Sequence, residues 1–113
     1  MTINVRTQKD VTILDLEGDL VLGAPVATFR EQVQELVEGG VKKIAVNLHS
    51  VRFLDSSGIG AMVGAHTGLE ASGGHCKFFG AQQRVIHALE LVHMLEVFNL
   101  HDKEAAALAS FPA

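Results

Sequence analysis

From Val11 onward the chain alternates strand-like and helix-like runs, and that alternation narrows the possible folds more than any other feature of the sequence. Ile3 and Val5 alternate with Asn4 and Arg6, and the turn-like Gln8-Lys9-Asp10 leads into Val11-Thr12-Ile13-Leu14-Asp15-Leu16. This pattern predicts a hairpin whose second strand is the more buried. Gly18 and Gly23 bracket a loop, and Pro25 suits a first helical turn because its missing N–H has no partner there. Val26, Phe29, Val33, Leu36 and Val37 then fall at helical spacing until Gly39-Gly40, one of which is expected to be left-handed. Val41 to Leu48 reads as a strand with Ile44, Val46 and Leu48 on one face, as a covered central position requires. A second helix carries Ile59, Met62, Val63, His66 and Leu69 on one face and stops at Gly73-Gly74. His75 to Phe79 reads as a short strand, and Gln82 to Val92 as a helix with Val85, Ile86, Leu89 and Val92 inward. Val97-Phe98 is expected to be an edge strand, and Asp102 to Ala109 a terminal helix capped by His101 or Asp102. The prediction is an α/β fold: a single domain over 1–113, with a mixed, mostly parallel sheet of about five strands and four helices.

The rest of the chain is arranged about Phe53-Leu54-Asp55-Ser56-Ser57-Gly58-Ile59-Gly60, where an apolar run that reads as buried strand gives way to helix. Asp55, Ser56 and Ser57 can each accept from the unpaired amides of a first helical turn, so each is a plausible N-cap. One of them takes that role, and at least one hydroxyl is left at the positive end of the helix dipole. Such a serine has three readings: a redundant cap, a nucleophile, or an acceptor of a phosphoryl group.

Composition excludes several classes of function. A length of 113 residues, 48% hydrophobic and 19% charged, suits one packed core and not a disordered chain. The formal charge of −4, with Lys42-Lys43 as the lone basic pair, speaks against direct nucleic-acid binding. Six phenylalanines without tryptophan or tyrosine offer no stacking platform. The most apolar stretch, Val51 to Leu69, is broken by Arg52, Asp55 and His66, so membrane insertion is not expected. No basic-then-apolar leader opens the chain, and the single Cys76 fits a reducing, cytoplasmic setting.

The six histidines lack the paired spacing of a zinc site, and no metal or cofactor is expected. No lysine follows the glycines near Ser57 to meet a nucleotide phosphate. The Gly-x-Ser-x-Gly elbow of a serine hydrolase is missing its first glycine, so an enzyme is not expected. Gly60, Gly64 and Gly68 form a stripe that costs roughly 1 kcal/mol per residue against alanine. Close packing on the sheet or a groove for a partner would each account for it.

Gly18-Asp19-Leu20, then Ile44-Ala45-Val46-Asn47-Leu48, then the Asp-Ser-Ser-Gly run at residues 55–58 closely resemble the STAS domains of bacterial anti-sigma factor antagonists, over nearly the whole chain. The resemblance implies that Ser56, the first serine after the aspartate, is phosphorylated by an anti-sigma factor serine kinase and dephosphorylated by a phosphatase. It implies partner contacts from Asp19, Asp55, Ser57, Gly58 and Gly60, and a monomer or weak homodimer. The family usually places a further aspartate where this chain has Val21, which removes one negative group from the surface that meets the kinase. The alternative implied by the same fold is a non-enzymatic subunit docking on the ATPase of a lipid-transporting ABC system.

Overall fold

Lys9 and Asp10 turn the chain between β1 (Thr2–Gln8) and β2 (Val11–Glu17), with Lys9 at φ 56°. A loop this short fixes the register, and every β1 residue has a partner from Gln8↔Val11 to Thr2↔Glu17. The computed structural model describes residues 1–112. Gly23, at φ 108°, opens α1 (Ala24–Glu38), Pro25 lies in its first turn, and Gly40 at φ 92° is the left-handed residue beyond its end. The chain returns through β3 (Lys43–Ser50), α2 (Ser56–Ala71) and β4 (His75–Phe79). Both β2–β3 and β3–β4 pair in parallel, so the sheet order is β1-β2-β3-β4 with an antiparallel hairpin at one side.

Alternation along the strands sorts the core into two layers. Leu14 and Leu16 of β2 and Ile44, Val46 and Leu48 of β3 join Phe29, Met62, Leu69 and Phe78 in the larger cluster. On the opposite face Val11, Ile13, Ala45 and Phe79 are covered by Ala107, Leu108 and Phe111. The first layer is therefore roofed by α1, α2 and α3 (Gln83–Leu91), and the second by α5 (Glu104–Ala109).

Three local expectations are corrected. Val97-Phe98 is not a strand; it closes α4 (Leu95–Phe98), so the described residues hold four strands and five helices. Two adjacent apolar residues carry no period, and here Phe98 packs at 5.0 Å between ring centroids on Phe78 while Val97 stays 44% exposed. The edge pairing falls at His101 instead, whose amide donates to the Phe78 carbonyl and whose carbonyl accepts from the Gly80 amide, each at 3.0 Å. That pairing occupies the backbone of His101, and α5 is entered through Lys103, which makes no side-chain cap bond. In α3, Val85 and Leu89 are buried as expected, but Val92 lies past the helix end and is exposed.

The glycine stripe also faces elsewhere than onto the sheet. Gly60 and Gly64 lie beside the Arg30 guanidinium of α1, where an added methyl would meet it at 3.8 and 3.4 Å, and Gly68 opens to free space. Gly64 and Gly68 border a cleft of about 360 Å³ between α1 and α2, floored by Val33, Ala61 and Ala65. The glycine that backbone packing demands is Gly58, since a methyl there would overlap the Leu20 carbonyl.

Candidate functional site

Two loops leave the same end of the sheet and are sewn together. The Gly18 amide donates to the Ser50 carbonyl at 3.2 Å and the Leu20 amide to the Phe53 carbonyl at 3.0 Å, so Leu20 and Leu54 form a short parallel bridge beyond β2 and β3. Both leucines are buried, and Phe53 beside Leu54 points the other way, 50% exposed. The apolar run read as buried strand is thus half wrong, because alternation turns one of its two residues outward.

Asp55 is the N-cap of α2, in extended conformation at φ −108° and ψ −176°. Its Oδ1 accepts from the Gly58 amide at 2.8 Å, and its Oδ2 accepts from the Leu22 amide at 2.9 Å. The Leu22 amide first, then the Gly58 amide, hold the carboxyl below the usual aspartate range, so it remains ionised at the positive end of the helix. Of the three candidate caps, the structure therefore selects Asp55. Ser56 becomes the first helical residue and is exposed, while Ser57 is half-buried.

The remaining expected contact residues divide by accessibility. Asp19 is exposed in the β2–α1 loop, and Gly60 is exposed a turn along α2. Gly58 is buried against Leu20 and is out of reach of a docked surface; its role is to let the two loops approach. Leu22, 75% exposed, is an apolar residue at this end that the sequence pattern did not single out, and Phe53, expected to be buried, is a second exposed one. Loop position alone could have marked Leu22, since no helical or strand period claims it. His66 lies ten residues beyond Ser56 on the same helix, about 15 Å by helical rise, with its ring edge-on to Phe98 at 6.2 Å. It offers Ser56 no general base. Among the described residues no three His, Cys, Asp or Glu side chains converge, and no helix is long and apolar enough to cross a membrane.

Ser56 thus stands exposed at the first turn of α2, behind an ionised cap and below a two-loop clamp. The STAS domain model matches residues 2–107. The chain belongs to the STAS domain family. Within that family this STAS domain is similar to the anti-sigma-B factor antagonist of Bacillus subtilis, 27% identical over 107 residues that cover 91% of this chain and 94% of that protein. A solved structure from Thermotoga maritima, described as a candidate anti-sigma factor antagonist, superposes with a TM-score of 0.89 at 23% identity, over 96% of this STAS domain and 93% of that chain. The Bacillus cell fate determinant SpoIIAA in its phosphorylated form gives a TM-score of 0.72 at 20% identity, covering 96% and 97% of the two chains. At such identities the solved structures establish the fold.

Proposed function

We propose that this STAS domain is an anti-sigma factor antagonist that docks, unmodified, on an anti-sigma factor kinase, and that phosphate on Ser56 ends the docking. The domain itself catalyses nothing in this reading; it is a substrate and a binding partner. The observation that carries it is the placement of the Ser56 hydroxyl, exposed at the first position of α2 while Asp55 does the capping.

The electrostatics support a switch. Phosphorylation adds about −1.5 to −2 charges at pH 7. A helix N-terminus ordinarily tolerates an anion through its free amides. Here the Asp55 carboxylate already takes the amides of Leu22 and Gly58, so a phosphate on the next residue would stand directly beside a second anion. Its charge, beside ionised Asp55, falls on whatever docks against Ser56. A partner without a matching cation would have to desolvate two anions together. A loss of about 3 kcal/mol weakens binding more than a hundredfold. The fold need not change, because Ser56 contributes nothing to the core.

Incubation with the cognate anti-sigma factor kinase and ATP, followed by intact-protein mass spectrometry, tests the proposal. The expected result is the gain of one phosphoryl group, absent from Ser56→Ala, with loss of kinase binding in the modified form. Absence of the gain, or undiminished binding after it, would overturn the reading.

A further inference from the structure

The sheet ends differently at its two sides. Beyond β4, the backbone of His101 supplies hydrogen bonds to Phe78 and Gly80. Beyond β1, among the described residues, no strand follows. β1 runs for seven residues in unbroken register with β2, without a proline, a lysine or a bulge. Those are the devices by which soluble proteins blunt an open edge. The outer amides and carbonyls of β1 therefore form a ready template for another strand.

The one charge on the strand does not defend it. Arg6 is folded onto its own chain, its Nε at 2.7 Å from Asp15 and its Nη2 against Glu104 of α5. Val5 is 42% exposed although Leu14, its neighbour across the hairpin, is fully buried. The edge thus carries a neutralised cation and an uncovered apolar residue at its midpoint.

We infer that β1 is a self-association edge, on which a second copy of this chain pairs antiparallel about a two-fold axis through Val5. Rotation about an axis normal to the sheet keeps every side chain on its own face, so opposed residues must be an even number of positions apart. Centring on Val5 pairs the whole strand: Thr2 opposite Gln8, Ile3 opposite Thr7, Asn4 opposite Arg6, and Val5 opposite Val5. No like charges meet in that register. A slip centred on Arg6 would oppose two guanidinium groups, and one centred on Asn4 would leave Gln8 unpaired. The product is one continuous sheet with α1 and α2 of both copies on the same side. Ser56 follows β3, two strands in from the seam, so self-pairing does not draw on the docking end. A seam one strand wide belongs with small, transient interfaces, under about 1,200 Å² of total burial.

Sedimentation equilibrium and cysteine cross-linking of the full chain test this. The average mass is expected to climb from one chain toward two as concentration approaches about 1 mM. Val5→Lys, which sets two ammonium groups opposite each other, should abolish the climb with an unchanged circular dichroism spectrum. Val5→Cys should cross-link under mild oxidation about tenfold faster than Val97→Cys, because the two-fold register brings the Cα atoms to about 4.5–5.5 Å, within disulfide reach. Val97 is a matched control at 44% exposure, and native Cys76 does not interfere, being buried with its thiol pushed up to about 12. A single-chain mass throughout that range, or equal cross-linking of the two cysteine variants, would overturn the inference.

Discussion

The Asp55 carboxylate accepts a 2.9 Å hydrogen bond from the amide of Leu22, a residue 33 positions earlier in the chain. Its other oxygen caps α2 through Gly58 at 2.8 Å. One side chain thus fixes both the start of the helix that presents Ser56 and the loop that carries Leu22. Asp55→Ala is expected to lower the thermal midpoint and to speed amide exchange at Leu22 and Gly58 together. Asp55→Asn should fall between it and the parent, because its carbonyl can serve one amide while its NH₂ faces the other. Hydrogen exchange read residue by residue checks the coupling; independent loss at the two amides would refute it.

Gly58 and Gly60 lie two positions apart in α2 and should respond in opposite directions. A methyl at Gly58 would overlap the Leu20 carbonyl, so the loop must move, and Gly58→Ala is expected to cost about 3 kcal/mol. At Gly60 a methyl would stand 3.8 Å from the Arg30 guanidinium, which is ordinary contact. Gly60→Ala should be neutral or stabilise by up to about 1 kcal/mol through helix propensity. Urea unfolding of both variants gives the comparison.

The sequence revealed what is local and concealed what joins distant segments. Cap chemistry acts over three residues, so Asp55, Ser56 and Ser57 could be picked out as a helix start, though not ranked. Period and alternation placed Ile44, Val46 and Leu48 on one face and Val85 and Leu89 inward, and both hold. The Leu20–Leu54 bridge pairs residues of two loops, and nothing in either loop announces the other. For the same reason Gly58 looked like surface and proved to be packing. Val97-Phe98 was too short to carry a period, so the expected edge strand rested on two apolar residues alone; in the fold Phe98 ends a helical turn and packs on the Phe78 ring.

The polar cluster on the α5 side should give the fold an acid limit. The Arg6 guanidinium first, then the side-chain amides of Asn47 and Asn4, hold the Asp15 carboxyl down at about 2. Arg6 Nε lies 2.7 Å away and Asn47 Nδ2 3.0 Å. A folded-state value below the unfolded one means that the stabilisation is complete above the unfolded aspartate range, about 3.9. It is lost as pH falls through about 2. Given the 24% exposure of Asp15, its share is about 1–2 kcal/mol. Urea midpoints of the parent and Asp15→Asn should differ by a constant amount near neutrality, and the gap should close as pH falls toward about 2. A gap that persists there would show that packing, not charge, explains the effect of the substitution.

Leu22 and Phe53 provide the sharpest separation between docking and folding at the Ser56 end. Both stand out from the core, at 75% and 50% exposure, on the two loops that Asp55 ties together. Exposed side chains of this kind usually change stability by less than about 0.5 kcal/mol when truncated. Buried under a partner, a large apolar residue at an interface centre is typically worth more than about 1 kcal/mol. If the anti-sigma factor kinase docks over Ser56, then Leu22→Ala and Phe53→Ala should each weaken its binding by about tenfold. Their unfolding midpoints should stay with the parent. The matched control is Leu91→Ala, which removes a 67% exposed leucine at the end of α3 and should alter neither quantity. Calorimetric titration of the kinase with the three variants reads the effect directly. Equal binding by all three would place the docking surface elsewhere, whether or not Ser56 accepts phosphate.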